Sequence, residues 1–452
     1  MINTFTPADL LTADGAVRGE RRRAAVQPVQ ETVARIVASV RERGDAALLQ
    51  HARELDGVDM EGVPLRVPSA DFDAADAAVD PGVRDALERM VANVRAHHRR
   101  QLPEHRTWMV DVAPGVLTGE RWTPVASVGL YVPRGKGSFP SVMAMLCVPA
   151  VLAEVPYVAV CTPPGPGGSV DAASLVVARL CGVEHVFRVG GAQAVAALAF
   201  GTESVPRVDK IVGPGSRYVT AAKQLVYGVV DPGPPAGPSE SIVLCDGGAA
   251  PEVAASELLV EAEHGPDSAA LLVTDSAAVA DEVRRLLPAL VESLPDERRS
   301  YCEAVLSGLG GIVLTRDLAE SIDFVNAYAP EHLRLLVSEP FDVLHRVVNA
   351  GEILLGEHSS IAYGNYGLGV NAILPTAGMA RSFSCVGVTD FMKRSSFAYV
   401  MPEGVADIAR TAVRMADYEG FPAHARAAQL TLDRVSARAA PDPAGRLLPG
   451  AG

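Results

Sequence analysis

Nowhere does this sequence run for 18 apolar residues, so no segment is long enough to span a bilayer as a helix. Its opening, Met1-Ile2-Asn3-Thr4-Phe5, lacks the charged stretch and apolar core of a secretory signal. A soluble, unexported, cytoplasmic protein is expected. No Cys-x-x-Cys occurs: Cys147, Cys161, Cys181, Cys245, Cys302 and Cys385 are scattered, mostly within apolar runs. They read as reduced core residues rather than disulfide or zinc-knuckle partners. No basic stripe appears, and 40 basic against 54 acidic residues leave a net charge of −14, which argues against a nucleic-acid or anionic-membrane partner. No Gly-x-Gly-x-x-Gly follows the first predicted strand, and no His-Glu-x-x-His occurs, so neither the usual dinucleotide fingerprint nor the usual zinc-hydrolase signature is available.

What remains is a long chain, 452 residues and 48% hydrophobic, that can bury more than one core. Residues 27–105 carry apolar positions at three and four spacing, for example Val33, Ile36, Val37 and Val40, so 1–124 reads as a mainly helical region expected to pack with the second α/β domain. From 125 the pattern changes to short β-rich runs, each followed by a Gly- or Pro-rich turn and a helix-like segment. The runs 126–132, 157–161, 185–189 and 210–212 make a first α/β domain over 125–238. After a proline-rich linker, the runs 241–245, 270–274, 311–314, 333–337 and 352–355 make a second over 239–380. Strands alternating with helices predict parallel, Rossmann-like sheets. The tail, 381–452, reads as helical, amphipathic and able to cross to a partner subunit, and its end, 439–452, as disordered.

Three local patterns carry chemistry. In Val260-Glu261-Ala262-Glu263-His264-Gly265-Pro266, a helix stopped by Gly-Pro places Glu261 and His264 three apart on one face, the spacing of carboxylate-and-imidazole metal sites. In Ala329-Pro330-Glu331-His332, an acid and an imidazole adjoin a helix boundary imposed by proline and could serve two proton transfers at one bent site. Read alone, either pair also fits a solvated helix terminus. The turns Gly190-Gly191 and Gly213-Pro214-Gly215 each join a strand to a helix, where backbone N–H groups could face a pyrophosphate or where glycine could serve backbone geometry only.

Taken with Ala236-Gly237-Pro238-Ser239-Glu240, Leu374-Pro375-Thr376 and Glu419-Gly420-Phe421-Pro422-Ala423-His424, these motifs resemble the histidinol dehydrogenase family from about Thr32 to Ala440. The resemblance implies a zinc- and NAD-dependent dehydrogenase that takes an alcohol through the aldehyde to the carboxylate. It implies NAD at Tyr131, Gln193 and Ser216. Zinc falls to Glu261, His264, Asn365 and His424, and substrate to Ser239, Glu261, His264, His332, Asn365, Glu419 and His424. His332 is implied as general base and Glu331 as activator of water. It also implies a homodimer in which the tail, with Glu419 and His424, completes the partner's site.

The chain departs from the family pattern in places. Ser216 replaces the usual Asn. Glu261 and Asn365 stand where the family has Gln and Asp, so carboxylate and amide have traded places while the charge around the metal is unchanged. Ala372 removes an imidazole that the family places near the substrate, and Arg134 and Lys136 add charge to the loop after Tyr131. These changes fit a paralogue of the histidine-pathway enzyme: L-histidinol is expected to be a poor substrate and another small polar alcohol carrying a negative group, such as a sulfonated diol, the physiological one, with L-histidinol to L-histidine as the other option. A non-catalytic NAD- or zinc-binding paralogue is the alternative, and a zinc hydrolase is disfavoured because no His-Glu-x-x-His occurs.

Overall fold

The computed structural model describes residues 2–12, 29–135 and 137–439, and divides them between two compact units. The first unit comprises Met1–Leu102 and Pro124–Phe391, the second Pro103–Thr123 and Met392–Gly452. In chain order the strands are β1 (Thr4–Phe5), β2 (Thr107–Ala113), β3 (Val116–Pro124), β4 (Ser127–Tyr131), β5 (Tyr157–Thr162), β6 (His185–Arg188) and β7 (Lys210–Val212). They continue with β8 (Glu240–Cys245), β9 (Ala269–Thr274), β10 (Gly311–Leu314), β11 (His332–Leu336), β12 (Glu352–Leu355) and β13 (Met392–Val400).

The first unit contains the two expected parallel sheets. One has the order β6-β5-β4-β7, the other β1-β10-β9-β8-β11-β12. Their central strands are buried on both faces. β9, Ala-Ala-Leu-Leu-Val-Thr, is buried along its whole length, which is why it reads as a continuous apolar run and not an alternation. In both sheets the strand order reverses once, between β4 and β7 and between β8 and β11. Crevices at such reversals are where open α/β sheets bind ligands.

The N-terminal helices correct one expectation. Helix Gln30–Arg43 packs on helix Gly191–Phe200, and helices Ser69–Ala78 and Pro81–Arg99 pack on Pro140–Leu152 and Ala172–Cys181. They therefore cover the four-stranded sheet, not the second α/β domain. Val33, Ile36, Val40 and Leu48 share one core with Tyr131, Phe187 and Leu198. Only β1 joins the six-stranded sheet, as its edge beside β10.

The second unit corrects two more. Residues 107–124 are not helical: β2 and β3 form an antiparallel pair with an irregularity between Asp111 and Ala113, and β13 joins them in the order β13-β3-β2. The tail likewise opens with β13, where Phe397, Tyr399 and Val400 favour an extended chain. The helices Val405–Tyr418 and Pro422–Ala439 then pack against each other. The stretch from 440 onward lies outside the described residues. This small unit leaves Trp108, Met109, Val110 and Val112 of β2, with Tyr418 and Phe421, open to solvent. No helix among the described residues is long and apolar enough to cross a membrane.

Candidate active site

His332 is the first residue of β11 and is buried. The helix before it, Leu318–Tyr328, ends at Ala329 in the left-handed region (φ 55°), and Pro330 then turns the chain into the strand. A non-glycine residue there costs of order 1 kcal/mol, offset by delivery of Glu331 and His332 to the N-terminal end of β11, an interior strand. Glu331 folds back, so that its Oε2 accepts the backbone N–H of Glu240 at the start of β8 (2.8 Å).

Opposite, helix Pro251–Ala262 brings up Glu261, almost wholly buried. His264 lies just past the helix C-cap, Glu263, where its N–H bonds to the Glu261 carbonyl (3.2 Å). The turn keeps the expected pairing: His264 Nδ1 lies 3.2 Å from Glu261 Oε2. The Nε2 of His332 lies 3.8 Å from Glu261 Oε1 and 3.9 Å from Glu331 Oε1. Two of the sequence-derived pairs, distant in the chain, therefore meet at one place.

Sequence reasoning missed the residue closest to His332. In the parallel register of β11 and β12, His332 stands opposite Glu352, whose Oε2 is 2.8 Å from His332 Nδ1. The available signal was a carboxylate opening the otherwise apolar run Glu-Ile-Leu-Leu. Its partner could not be read without the register. Burial acts to lower the His332 pKa, but Glu261, the Glu352 hydrogen bond and Glu331 outweigh it and raise the group to about 10. Burial raises the Glu331 carboxyl well above the usual range, with Glu261 and Glu240 adding to the effect and His332 opposing it.

The remaining site residues fall as follows. Ser239 immediately precedes β8, and its carbonyl accepts the Ala269 N–H (2.9 Å). Asn365 is on the short helix Ile361–Tyr366, which packs on helix Pro251–Ala262; Glu257 of the latter accepts the Ile361 N–H (2.9 Å). The neighbouring Gly364 lies against Glu352: a Cβ there would come within 2.7 Å of Oε1, so only glycine permits this approach. Glu419 and His424 belong to the second unit. Glu419 is the C-cap of helix Val405–Tyr418, and the His424 ring sits 5.3 Å from that of Phe421. The Oε1 of Glu261 and Nδ1 of His264 are buried without hydrogen-bond partners, an oxygen and a nitrogen donor suited to a zinc-like cation. Among the described residues, no group of three or more His, Cys, Asp or Glu side chains is arranged to hold a metal ion. A zinc site here needs an amide or a further donor.

The other three candidates gather at the reversal point of the four-stranded sheet. Tyr131 ends β4, and its hydroxyl accepts the N–H of Gly191 (3.0 Å), at the start of the helix after β6. Gly213, after β7, has φ 140°, and a Cβ there would lie 2.2 Å from the Tyr131 carbonyl. Gln193 is buried with its Oε1 unpartnered, while its Nε2 donates to Asp56 (3.3 Å). Ser216 is exposed and N-caps helix Arg217–Leu225 without using its hydroxyl for the cap. A helix start and an unpartnered amide oxygen in a switch-point crevice fit a dinucleotide. Lys223 braces this region, its buried ammonium donating to the carbonyls of Gly213 (3.2 Å) and Pro234 (2.9 Å). Arg134 turns elsewhere, to the carbonyl of Ser169 (3.1 Å), and Lys136 lies outside the described residues. Ala372 is held through its N–H by the Met145 sulfur (3.3 Å).

Asp56 gives a test of this region. Burial raises its carboxyl to about 6 from an ordinary 3.8, against the Gln193 hydrogen bond. The folded chain therefore binds the proton more tightly than the unfolded one, so stability falls as pH rises through that window and stays lower above it. Allowing for partial exposure, Asp56→Asn should stabilise the protein by on the order of 1 kcal/mol above pH 7, and by almost nothing near pH 4. Melting temperatures of both proteins at the two pH values check this. An equal shift at each would remove the charge as its cause.

Comparison with known proteins shows the family. The family model for histidinol dehydrogenase matches residues 19–432. A Synechocystis protein named histidinol dehydrogenase is 49% identical over 392 residues, covering 87% of this chain and 90% of its own. A Cereibacter sphaeroides protein named histidinol dehydrogenase homolog is 49% identical over 430 residues, covering 94% and 97%. The crystal structure of histidinol dehydrogenase from Elizabethkingia anophelis superposes with a TM-score of 0.87 at 30% identity, covering 96% of this chain and 99% of that one. The two parallel sheets make a mixed α/β fold, shared with that crystal structure. The chain belongs to the histidinol dehydrogenase family.

Proposed function

We propose that this protein is a zinc- and NAD-dependent dehydrogenase that oxidises a small polar primary alcohol through the aldehyde to the carboxylate. The observation that carries the reading is His332, buried, engaged at Nδ1 by one carboxylate and facing two others through Nε2. Glu261, His264 and Asn365 would hold the metal, and Tyr131, Gln193 and Ser216 the dinucleotide. Bound there, zinc would fix the alcohol oxygen and offset the charge of Glu261, and NAD would accept hydride. With the carboxylate charge that holds the His332 ring protonated offset by the bound cation, His332 would take the hydroxyl proton at Nε2, and Glu331 would take a proton from the water that adds to the aldehyde.

The substrate follows from charge. Glu261 and Glu331 face the reacting nitrogen, with Glu352 behind the same ring, and Arg134 is directed to Ser169. An amino alcohol of the histidinol type therefore fits better than a sulfonated diol, whose anion would be placed against buried carboxylates. The exposed apolar side chains of the second unit support a homodimer, in which that unit supplies the partner subunit's His424 and Glu419 to each site. NADH formation by the zinc-loaded protein, with L-histidinol, other amino alcohols and sulfonated diols side by side, tests the assignment. Turnover of an amino alcohol well above that of any sulfonated diol is expected. Oxidation of the sulfonated diol alone would overturn the substrate class, and no oxidation of any alcohol would overturn the dehydrogenase.

A further inference from the structure

We propose that Glu352 is a positioning residue for the reaction, holding His332 by Nδ1 so that Nε2 is the nitrogen presented to the alcohol. The inference rests on reading His332 as the base. Three observations carry it. The two residues are register partners on adjacent parallel strands, so the contact is set by the sheet and not by a mobile loop. The Oε2–Nδ1 distance is 2.8 Å and both side chains are buried, a charge-assisted bond in a place that excludes water. A carboxylate accepts hydrogen bonds, so Nδ1 keeps its proton on Glu352 and Nε2 is the nitrogen left to exchange one.

The surroundings are shaped for this carboxylate. Burying a carboxylate at the start of an apolar strand is unfavourable unless it is paired, and among the described residues no other side chain hydrogen-bonds to it. Its second oxygen, Oε1, has no partner and lies over Gly364, where any side chain would collide with it. A packing or solubility role would be served by an apolar residue here. A carboxylate is required only if His332 must be oriented, as the acid of a carboxylate–imidazole pair orients its base in other enzymes.

The experiment compares wild type with Glu352→Gln and Glu352→Ala, each loaded with zinc and NAD. With the alcohol that wild type oxidises, Glu352→Ala should lose about 10–100-fold in kcat while KM and NAD affinity stay within about threefold. Glu352→Gln, whose carbonyl still accepts the Nδ1 proton, should recover part of that loss and keeps the test intact if the alanine variant fails to fold. A downfield ring N–H proton in the one-dimensional NMR spectrum should be present in wild type and absent in both Glu352→Ala and His332→Asn. Wild-type kcat in both Glu352 variants overturns the proposal, and so does a ring proton lost in His332→Asn but kept in Glu352→Ala. If wild type oxidises no alcohol, the functional reading fails, and the ring proton still decides whether Glu352 holds His332.

Discussion

His332→Asn should slow oxidation of the alcohol by roughly 10²–10⁴-fold, the usual contribution of a positioned general base, with NAD affinity retained. Glu331→Gln should spare that step and slow oxidation of the aldehyde instead, because Glu331 is the carboxylate suited to activating water. The separation is chemical. The imidazole faces the site through Nε2, whereas the Glu331 carboxylate is anchored at Oε2 by the Glu240 N–H and reaches toward the same point with Oε1 alone. Asparagine keeps a polar group of smaller size but cannot accept and hold a proton at that position. Single-turnover rates with alcohol and aldehyde supplied separately would read the two roles. Equal losses on both substrates in both variants would mean that the pair acts as one unit, and wild-type rates would take both out of the chemistry.

All the strands of both parallel sheets except β1 were legible as short β-rich runs followed by turn residues, a local signal that survives without any partner. Glu261, His264, Glu331 and His332 were legible as pairs for the same reason, and their meeting agrees with what the family motifs imply. What escaped was everything decided by pairing across long stretches of chain. β13 pairs with β3 from the far end of the chain, so its run read as part of a helical tail, and the β2–β3 pair fell within a region read as mainly helical. The docking of the N-terminal helices depends on which sheet face their apolar stripe meets, and periodicity gives the stripe without the face. Glu352 shows the limit most directly. Its position opens an obvious strand, but its meaning exists only in the register that sets it against His332.

The exchange at the metal site gives the sharpest remaining test. Glu261→Gln alone removes the one carboxylate among the proposed ligands and should weaken zinc binding by more than the 10–100-fold that even outer-shell changes cost. It should also lower the pKa of His332, because Glu261 is first among the groups that raise it. Asn365→Asp alone adds a second carboxylate beside an already acidic cluster, where Glu352 lies against Gly364. The double variant Glu261→Gln/Asn365→Asp restores the arrangement that the family pattern implies, with the charge count of wild type. Its zinc affinity, measured by chelator competition, should return to within about tenfold of wild type. A double-mutant cycle would then show strong coupling, since contacting ligands of one ion are not independent. If the two effects simply add, Glu261 and Asn365 do not share a metal. If neither single variant changes zinc binding, the ion, where present, is held by other residues, and the buried, unpartnered Oε1 of Glu261 serves His332 alone.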